Sequence, residues 1–414
     1  MRPSDYFRRS WIHNLAPFVL LYAAACTRTL LPDSATDGAL ELSPEASADV
    51  LDAGSVSDAT SDGADTDPMR IVRVVAADLA SCAIRASGDV ACWGQFGARD
   101  PDGGTSASSL TATAMPALRD VVDVSIGADN HACALLRAGG VECWGSGVGL
   151  GDGTTTFRSD PGPVGGLTDA VEIGTPYFLN CARRRDGSVW CWGVVPGGFH
   201  SMLPTAIDGA VDTRALRVGL ANPGFACVLN NDGSVACWGG NTNDQIGTLA
   251  NNMVYQTPQL IPGVSGSREI ATGFGHVCAL EDHGIQCWGA NLRGELGRGS
   301  LSQREAQPAP VVMAPDVDHI VARSTATCAW QQSGPVWCWG EAFWVQMDGS
   351  LPTIIAVPTL VPGLDHVEQL ALGAHHACAL LTSAQVVCVG SNDVGQLGTG
   401  DTMFRSEPTP VVGL

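Results

Sequence analysis

One short pattern, written seven times, constrains this chain more than any other feature. From residue 71 onward, Cys-Ala-x is followed by a short turn and then by Val-x-Cys-Trp-Gly. The copies are 82–94 (CAIRASGDVACWG), 133–145 (CALLRAGGVECWG), 181–193 (CARRRDGSVWCWG), 227–239 (CVLNNDGSVACWG), 278–289 (CALEDHGIQCWG), 328–340 (CAWQQSGPVWCWG) and 378–390 (CALLTSAQVVCVG). Their first cysteines stand 51, 48, 46, 51, 50 and 50 residues apart. A period near 50 built from strand-forming runs means propeller blades. The 414 residues therefore reduce to one repeat domain rather than the two or three that length alone suggests. The expected fold class is all-β, a seven-bladed β-propeller over 71–414.

Each copy reads as a hairpin. The first strand starts at the leading cysteine, and the second carries Val, Cys and Trp. Gly, Asp, Asn and Ser fill the turn, where positive φ angles are needed. In six copies the cysteines are 10 apart, and in Cys278/Cys287 they are 9 apart with a turn one residue shorter. That compensated change is what direct cross-strand pairing requires, and opposed strand residues lie within disulfide reach. The expectation is one intrablade disulfide per blade: Cys82–Cys92, Cys133–Cys143, Cys181–Cys191, Cys227–Cys237, Cys278–Cys287, Cys328–Cys338 and Cys378–Cys388. Zinc is the competing use of paired cysteines, but its usual Cys-x₂₋₄-Cys spacing is absent. Disulfides persist in oxidising compartments, and each should stabilise its hairpin by roughly 2–3 kcal/mol.

The N-terminus agrees with export. Arg2, Arg8 and Arg9 precede an apolar run at 15–25 (LAPFVLLYAAA) that is too short to span a bilayer and ends before Cys26. This resembles a bacterial lipoprotein signal, with residues 1–25 removed and Cys26 lipidated, although Ala23 stands where that signal prefers Leu. A plain cleaved signal peptide is the alternative. Cys26 is also the one cysteine left over from the seven pairs. Residues 26–70, rich in Asp, Ser, Ala and Gly, read as an acidic flexible tether. The expected location is the outer membrane or cell surface, or alternatively the medium.

Beyond the hairpin core, a glycine shortly precedes the first cysteine in several copies (Gly127, Gly174, Gly273, Gly373). A Gly-x-Leu-Gly-like loop follows the Trp-Gly, clearest at 291–299 (NLRGELGRG) and 392–400 (NDVGQLGTG) and weaker at 241–247 (NTNDQIG). The unit G-x-x-H-x-C-A-L … G-x-V-x-C-W-G-x-N-x-x-G-Q-L-G resembles the RCC1 (regulator of chromosome condensation) repeat in its bacterial extracellular form. The third and sixth copies lack the Gly-Gln-Leu-Gly loop, and the seventh has Val389 in place of the Trp. The resemblance implies a propeller. It also brings two functional precedents: nucleotide exchange on a small nuclear GTPase, and inhibition of an extracellular enzyme such as a β-lactamase.

The chain stops at 410–414 (PVVGL), a motif that elsewhere runs straight into the next copy, whereas 70–76 (RIVRVVA) starts the array. This reading splits a repeat across the two ends. It predicts that a strand near 408–413 joins the sheet holding 71–94 and removes an open edge.

Function is less legible. There is no Lys, so Schiff-base, P-loop and Ser–Lys chemistries are excluded. The propeller carries 31 acidic residues against 17 Arg, a net of −14, which suits neither nucleic acid nor the nuclear exchange role. No nucleophile elbow, His-Glu-x-x-His or Asp-box motif occurs, and a glycosidase or lyase would need facing carboxylates that sequence cannot place. Trp93, Trp144, Trp192, Trp238, Trp288 and Trp339 share one repeat position and read as inter-blade packing. His131, His276 and His376 share another and read as structural. The expectation is a non-enzymatic, monomeric binding module without cofactor or metal, touching the membrane only through its lipid. Its partner would be an extracellular or envelope protein or glycan met through loop aromatics, with Phe199, Tyr255, Phe343 and Trp344 as candidate contacts.

Overall fold

The computed structural model describes residues 67–96, 108–127, 131–145, 147–177, 179–195, 199–248, 254–312, 316–345 and 353–414. The expected signal at 1–25, Cys26 and nearly all of the expected tether at 26–70 lie outside these residues. Seven sheets of four antiparallel strands form seven blades: 71–114, 121–163, 170–206, 213–260, 269–310, 319–360 and 367–410. In every blade the strands are hydrogen-bonded in chain order. In blade 1 they are Ile71–Ala76, Ala80–Arg85, Val90–Gln95 and Ser108–Ala114.

The second and third strands are the repeated hairpin, which sets its two cysteines directly opposite one another, Cys82 opposite Cys92 and so on around the ring. All seven expected disulfides are formed, with Cα atoms 4.0–4.1 Å apart. The second strands are buried on both faces, as in His131–Leu136 and Phe225–Asn230. A strand sandwiched between neighbouring sheets reads as a continuous apolar run for that reason.

The first strands of adjacent blades approach one another around the axis, and the fourth strands form the outer wall. The turns between first and second strands and the loops between third and fourth strands share one end of the ring, here the upper face. The hairpin turns and blade-to-blade connections share the lower face.

Ring closure corrects one expectation. The final strand, Arg405–Pro410, does not join blade 1; it pairs with Val386–Gly390 as the fourth strand of blade 7. The Pro-rich stretch that follows each Trp-Gly belongs to the same blade as its cysteines, so no repeat is split across the ends. The fourth strands show how the seam is made instead. The residue just before the partner of the second cysteine is proline in six blades (Pro161, Pro204, Pro258, Pro308, Pro358, Pro408). An edge proline withholds an N–H and blocks edge-to-edge pairing. Blade 1 has Ala112 at that position. Its free N–H donates to Val412 O at 2.9 Å, while Val411 packs into the cluster joining blades 7 and 1. The C-terminal stretch clasps blade 1 with one backbone hydrogen bond and the Val411 side chain rather than a whole strand.

Candidate functional site

Residues of the repeat signature converge on the seams between blades. Seven apolar clusters fill the seven seams. In six of them the later blade contributes its tryptophan: Trp144 at seam 1|2, Trp192 at 2|3, Trp238 at 3|4, Trp288 at 4|5, Trp339 at 5|6 and Trp93 at 7|1. At seams 4|5, 5|6 and 7|1 the Gly-x-Leu-Gly-like loop of the earlier blade places Ile246, Leu296 or Leu397 in the same cluster. Trp288 Nε1 donates to Gln245 O at 3.0 Å, and Trp339 Nε1 donates to Glu295 O at 2.8 Å. The loop asparagines Asn241, Asn291 and Asn392 are fully buried. Each accepts the N–H of the loop's apolar residue, Ile246, Leu296 or Leu397, at 2.9–3.2 Å. These groups are used up in holding blades together.

Seam 6|7 differs. Val389 stands where the tryptophan would be, and Phe343 and Trp344 from the upper loop of blade 6 pack in the same cluster. The two rings meet edge to face at 4.9 Å and are only 6% and 7% exposed. The expectation that they serve as surface contacts fails for a physical reason: they refill the volume that Val389 leaves. Tyr255 is half-buried against seam 4|5, with its hydroxyl 3.1 Å from Thr248 Oγ1. Phe199 opens the fourth strand of blade 3 opposite Val195, and its side chain is not among those described.

The axis is closed by paired charges. Near the lower face, Arg73 of blade 1 holds Asp123 of blade 2 at 2.6 Å. Glu172 of blade 3 takes Arg183 at 3.0 Å, Arg217 of blade 4 at 2.5 Å and the Leu216 N–H at 2.8 Å. Glu269 of blade 5 accepts the Ile320 N–H of blade 6 at 3.0 Å, and Gln369 of blade 7 accepts the Val74 N–H of blade 1 at 2.8 Å. Side chains from one blade thus cap inner-strand amides of the next. Burial pushes the Asp123 carboxyl up despite Arg73, and the Glu269 contact pushes the His319 imidazole up. At the upper end, Arg323 of blade 6 reaches past blade 7 to Asp78 of blade 1 at 3.0 Å and to Ile126 O of blade 2 at 3.4 Å. The carboxylates of this network, Asp78, Asp123, Glu172 and Glu269, each hold an arginine or a backbone N–H.

The upper face near the axis offers a different surface. Phe274 is 50% exposed and Leu79 45%. Both lie in first-to-second-strand turns, of blades 5 and 1. Phe274 is the one aromatic among the exposed large apolar side chains of the described residues. Its turn is braced on both sides: Leu220 N donates to Gly273 O at 3.1 Å, and Phe274 N donates to Ser324 O at 2.6 Å. Sequence reasoning passed over Phe274 because it sits inside the Gly-x-x-His stretch of the repeat. The available signal was a large aromatic at the tip of a tight Gly-Phe-Gly turn.

Fold and seams together define a disulfide-stapled seven-bladed β-propeller whose blades are locked by repeated Trp, Asn and Gln/Glu residues. Residues 367–396, which hold the first three strands of blade 7, match the Regulator of chromosome condensation (RCC1) repeat. It is 29% identical over 248 residues to human E3 ubiquitin-protein ligase HERC2, covering 56% of this chain and 5% of that protein. It is 25% identical over 298 residues to fission-yeast Protein pim1, covering 59% of this chain and 54% of the relative. The match thus spans a small part of the first relative and about half of the other. Among solved structures, Prp20p from Saccharomyces cerevisiae superposes with a TM-score of 0.68 at 18% identity, covering 83% of this chain and 88% of that one. Human WBSCR16 gives 0.62 at 17% identity, covering 77% and 88%. These likenesses show the fold.

Proposed function

We propose that this chain is an exported, non-catalytic binding module, anchored through a lipid on Cys26, that grips an envelope or extracellular protein or glycan with its upper face. The observation that carries the reading is Phe274: an aromatic held half in solvent on a turn fixed by both neighbouring blades. Rigid aromatic anchors supply contact area at little entropic cost. Loops on a stiff scaffold are where recognition resides. Support for export comes from the seven buried disulfides, which belong to an oxidising compartment, and from the signal-like N-terminus. A more specific version is inhibition of an extracellular enzyme, in which Phe274 and Leu79 would fill an apolar pocket of the target. The nucleotide-exchange role is disfavoured by the net charge of −14 and by the disulfides.

The test is affinity capture from the envelope and culture fractions with the intact protein, run beside the variant F274A/L79A. Recovery of a partner by the parent and its loss by the variant support the reading. A partner retained equally by both overturns the assignment of the face. Capture of a small GTPase would replace the whole reading. Hydrolysis of a glycan library with no partner captured would replace it with an enzyme.

A further inference from the structure

Three seams carry a buried histidine, and its partner obeys a rule. The histidine stands two residues before the first cysteine of one blade. It bonds the residue one before the first cysteine of the next: His131 Nε2 to Asn180 Oδ1 at 2.6 Å, His276 Nε2 to Thr327 Oγ1 at 2.9 Å, and His376 Nε2 to Ser81 Oγ at 2.8 Å. The other four seams are apolar and buried at both positions: Ala80/Ala132, Leu179/Ala226, Phe225/Val277 and Ala326/Ala377. Wherever the first position is histidine the second is polar, and wherever it is not, the second is Ala or Val.

The hydrogen-bond network fixes the protons at two of these seams. Thr327 Oγ1 donates to Glu295 O at 3.2 Å, and Ser81 Oγ donates to Gln396 O at 3.1 Å. Each hydroxyl has one hydrogen, so each histidine donates from Nε2 and keeps its lone pair on Nδ1. Nδ1 of His276 and of His376 has no partner. The ring edges lie against Gly273 and Gly373 so closely that a Cβ there would come within 2.1 Å of Cε1. A proton at Nδ1 would therefore be a buried, unpartnered donor carrying charge. Burial holds both imidazoles down at about 3. The charged neighbours of His376, namely Arg323 and half-exposed His375, oppose a further positive charge. Glu295, on the loop beside His276, is itself pushed up by burial.

These two seams bracket blades 6 and 7. Between those blades a different histidine does the opposite. His375 Nδ1 lies 3.0 Å from Glu341, and this contact raises its affinity for a proton. We propose that blades 6 and 7 form an acid-released segment of the ring, parting from blades 5 and 1 on proton uptake by His276 and His376 while seam 6|7 stays closed. The Arg323–Asp78 ion pair also ties blade 6 to blade 1, so it opposes the release and must part with it.

The sign follows from linkage. The closed state holds these imidazoles well below the 6.5 of the open chain. The open state therefore binds more protons, and the closed state is fully favoured above pH 6.5 and loses ground as pH falls toward 3. Each histidine should shift the closed-to-open ratio about tenfold per pH unit in that window. The test uses urea midpoints of the oxidised protein between pH 7 and 4.5. The variants are H276F/T327V, which copies the natural Phe225/Val277 seam, and H376F/S81A. Each should lose one proton's worth of slope; slopes equal to the parent's overturn the proposal. Should either variant fail to fold, imidazole titration by NMR on the parent decides. Values for both histidines near or above 6 overturn it, and values below 5 support it. Hydrogen exchange at pH 5 should rise first at seams 5|6 and 7|1; a rise spread evenly over all seven seams also overturns it.

Discussion

Seams 5|6 and 6|7 lie on opposite sides of the same blade and solve one packing problem in two ways. At 5|6 the repeat supplies everything: Trp339, the Glu295 loop that caps it, and the His276–Thr327 bond. At 6|7 the tryptophan is gone, both histidine-rule positions are alanine, and the loop sequence has diverged. Yet the seam is filled, because Phe343 and Trp344 enter from the side. What a propeller seam needs is buried volume and satisfied polar groups, and the repeat signature is one means of meeting that need. Departures from a repeat should then be read in pairs across a seam before either is taken for a binding feature.

Several measurements break or sharpen the contrast. The largest effects should come from the aromatics. W339A at 5|6 and W344A at 6|7 should each cost about 3–5 kcal/mol in urea unfolding, the usual range for deleting a buried aromatic. V389A should cost far less than W339A, although the two residues share a repeat position. If V389A is the costly change and W344A the mild one, the two seams are built alike and the contrast fails. Next in size is the response to pH. Seam 5|6 should weaken on acidification below 6.5. The His375–Glu341 contact at 6|7 gains from a raised imidazole, so its contribution is present in acid and is lost as pH rises through the elevated value. Because His375 is half exposed, solvent screening keeps that contribution under about 1 kcal/mol. H375Q should therefore flatten the stability profile slightly above pH 6.5 and leave the acid limb unchanged. The smallest effect concerns closure. A112P should fold, since six sister strands carry proline there, but it removes the Ala112 N–H that clasps Val412. A loss of about 1 kcal/mol is expected, whereas the same substitution at an edge already carrying proline has no counterpart to lose.

Much of the fold was legible because it is repeated. Blade number, hairpin register and all seven disulfide pairs follow from cysteine spacing, including the shortened turn at Cys278–Cys287. What escaped was information held between repeats rather than within them. The fate of 408–413 depended on where one blade stops and the next begins, and periodicity leaves that frame open. The even occurrence of Pro161, Pro204, Pro258, Pro308, Pro358 and Pro408, with Ala112 as the exception, was the clue to the outer edge and to the clasp. Val389 and the divergent loop holding Phe343 and Trp344 were each visible, but only contact across the seam shows that one answers the other. The partners of His131, His276 and His376 were hidden for the same reason, since each lies in the following copy. Phe274 was masked by the motif around it.

The most direct test is a double-mutant cycle across seam 6|7. If Phe343 and Trp344 stand in for the missing tryptophan, then V389W should be unfavourable in the parent, where the space is full. In F343A/W344A it should restore at least about 1–2 kcal/mol. Strictly additive effects, with V389W equally harmful in both backgrounds, would mean that the two aromatics do not occupy the tryptophan's place.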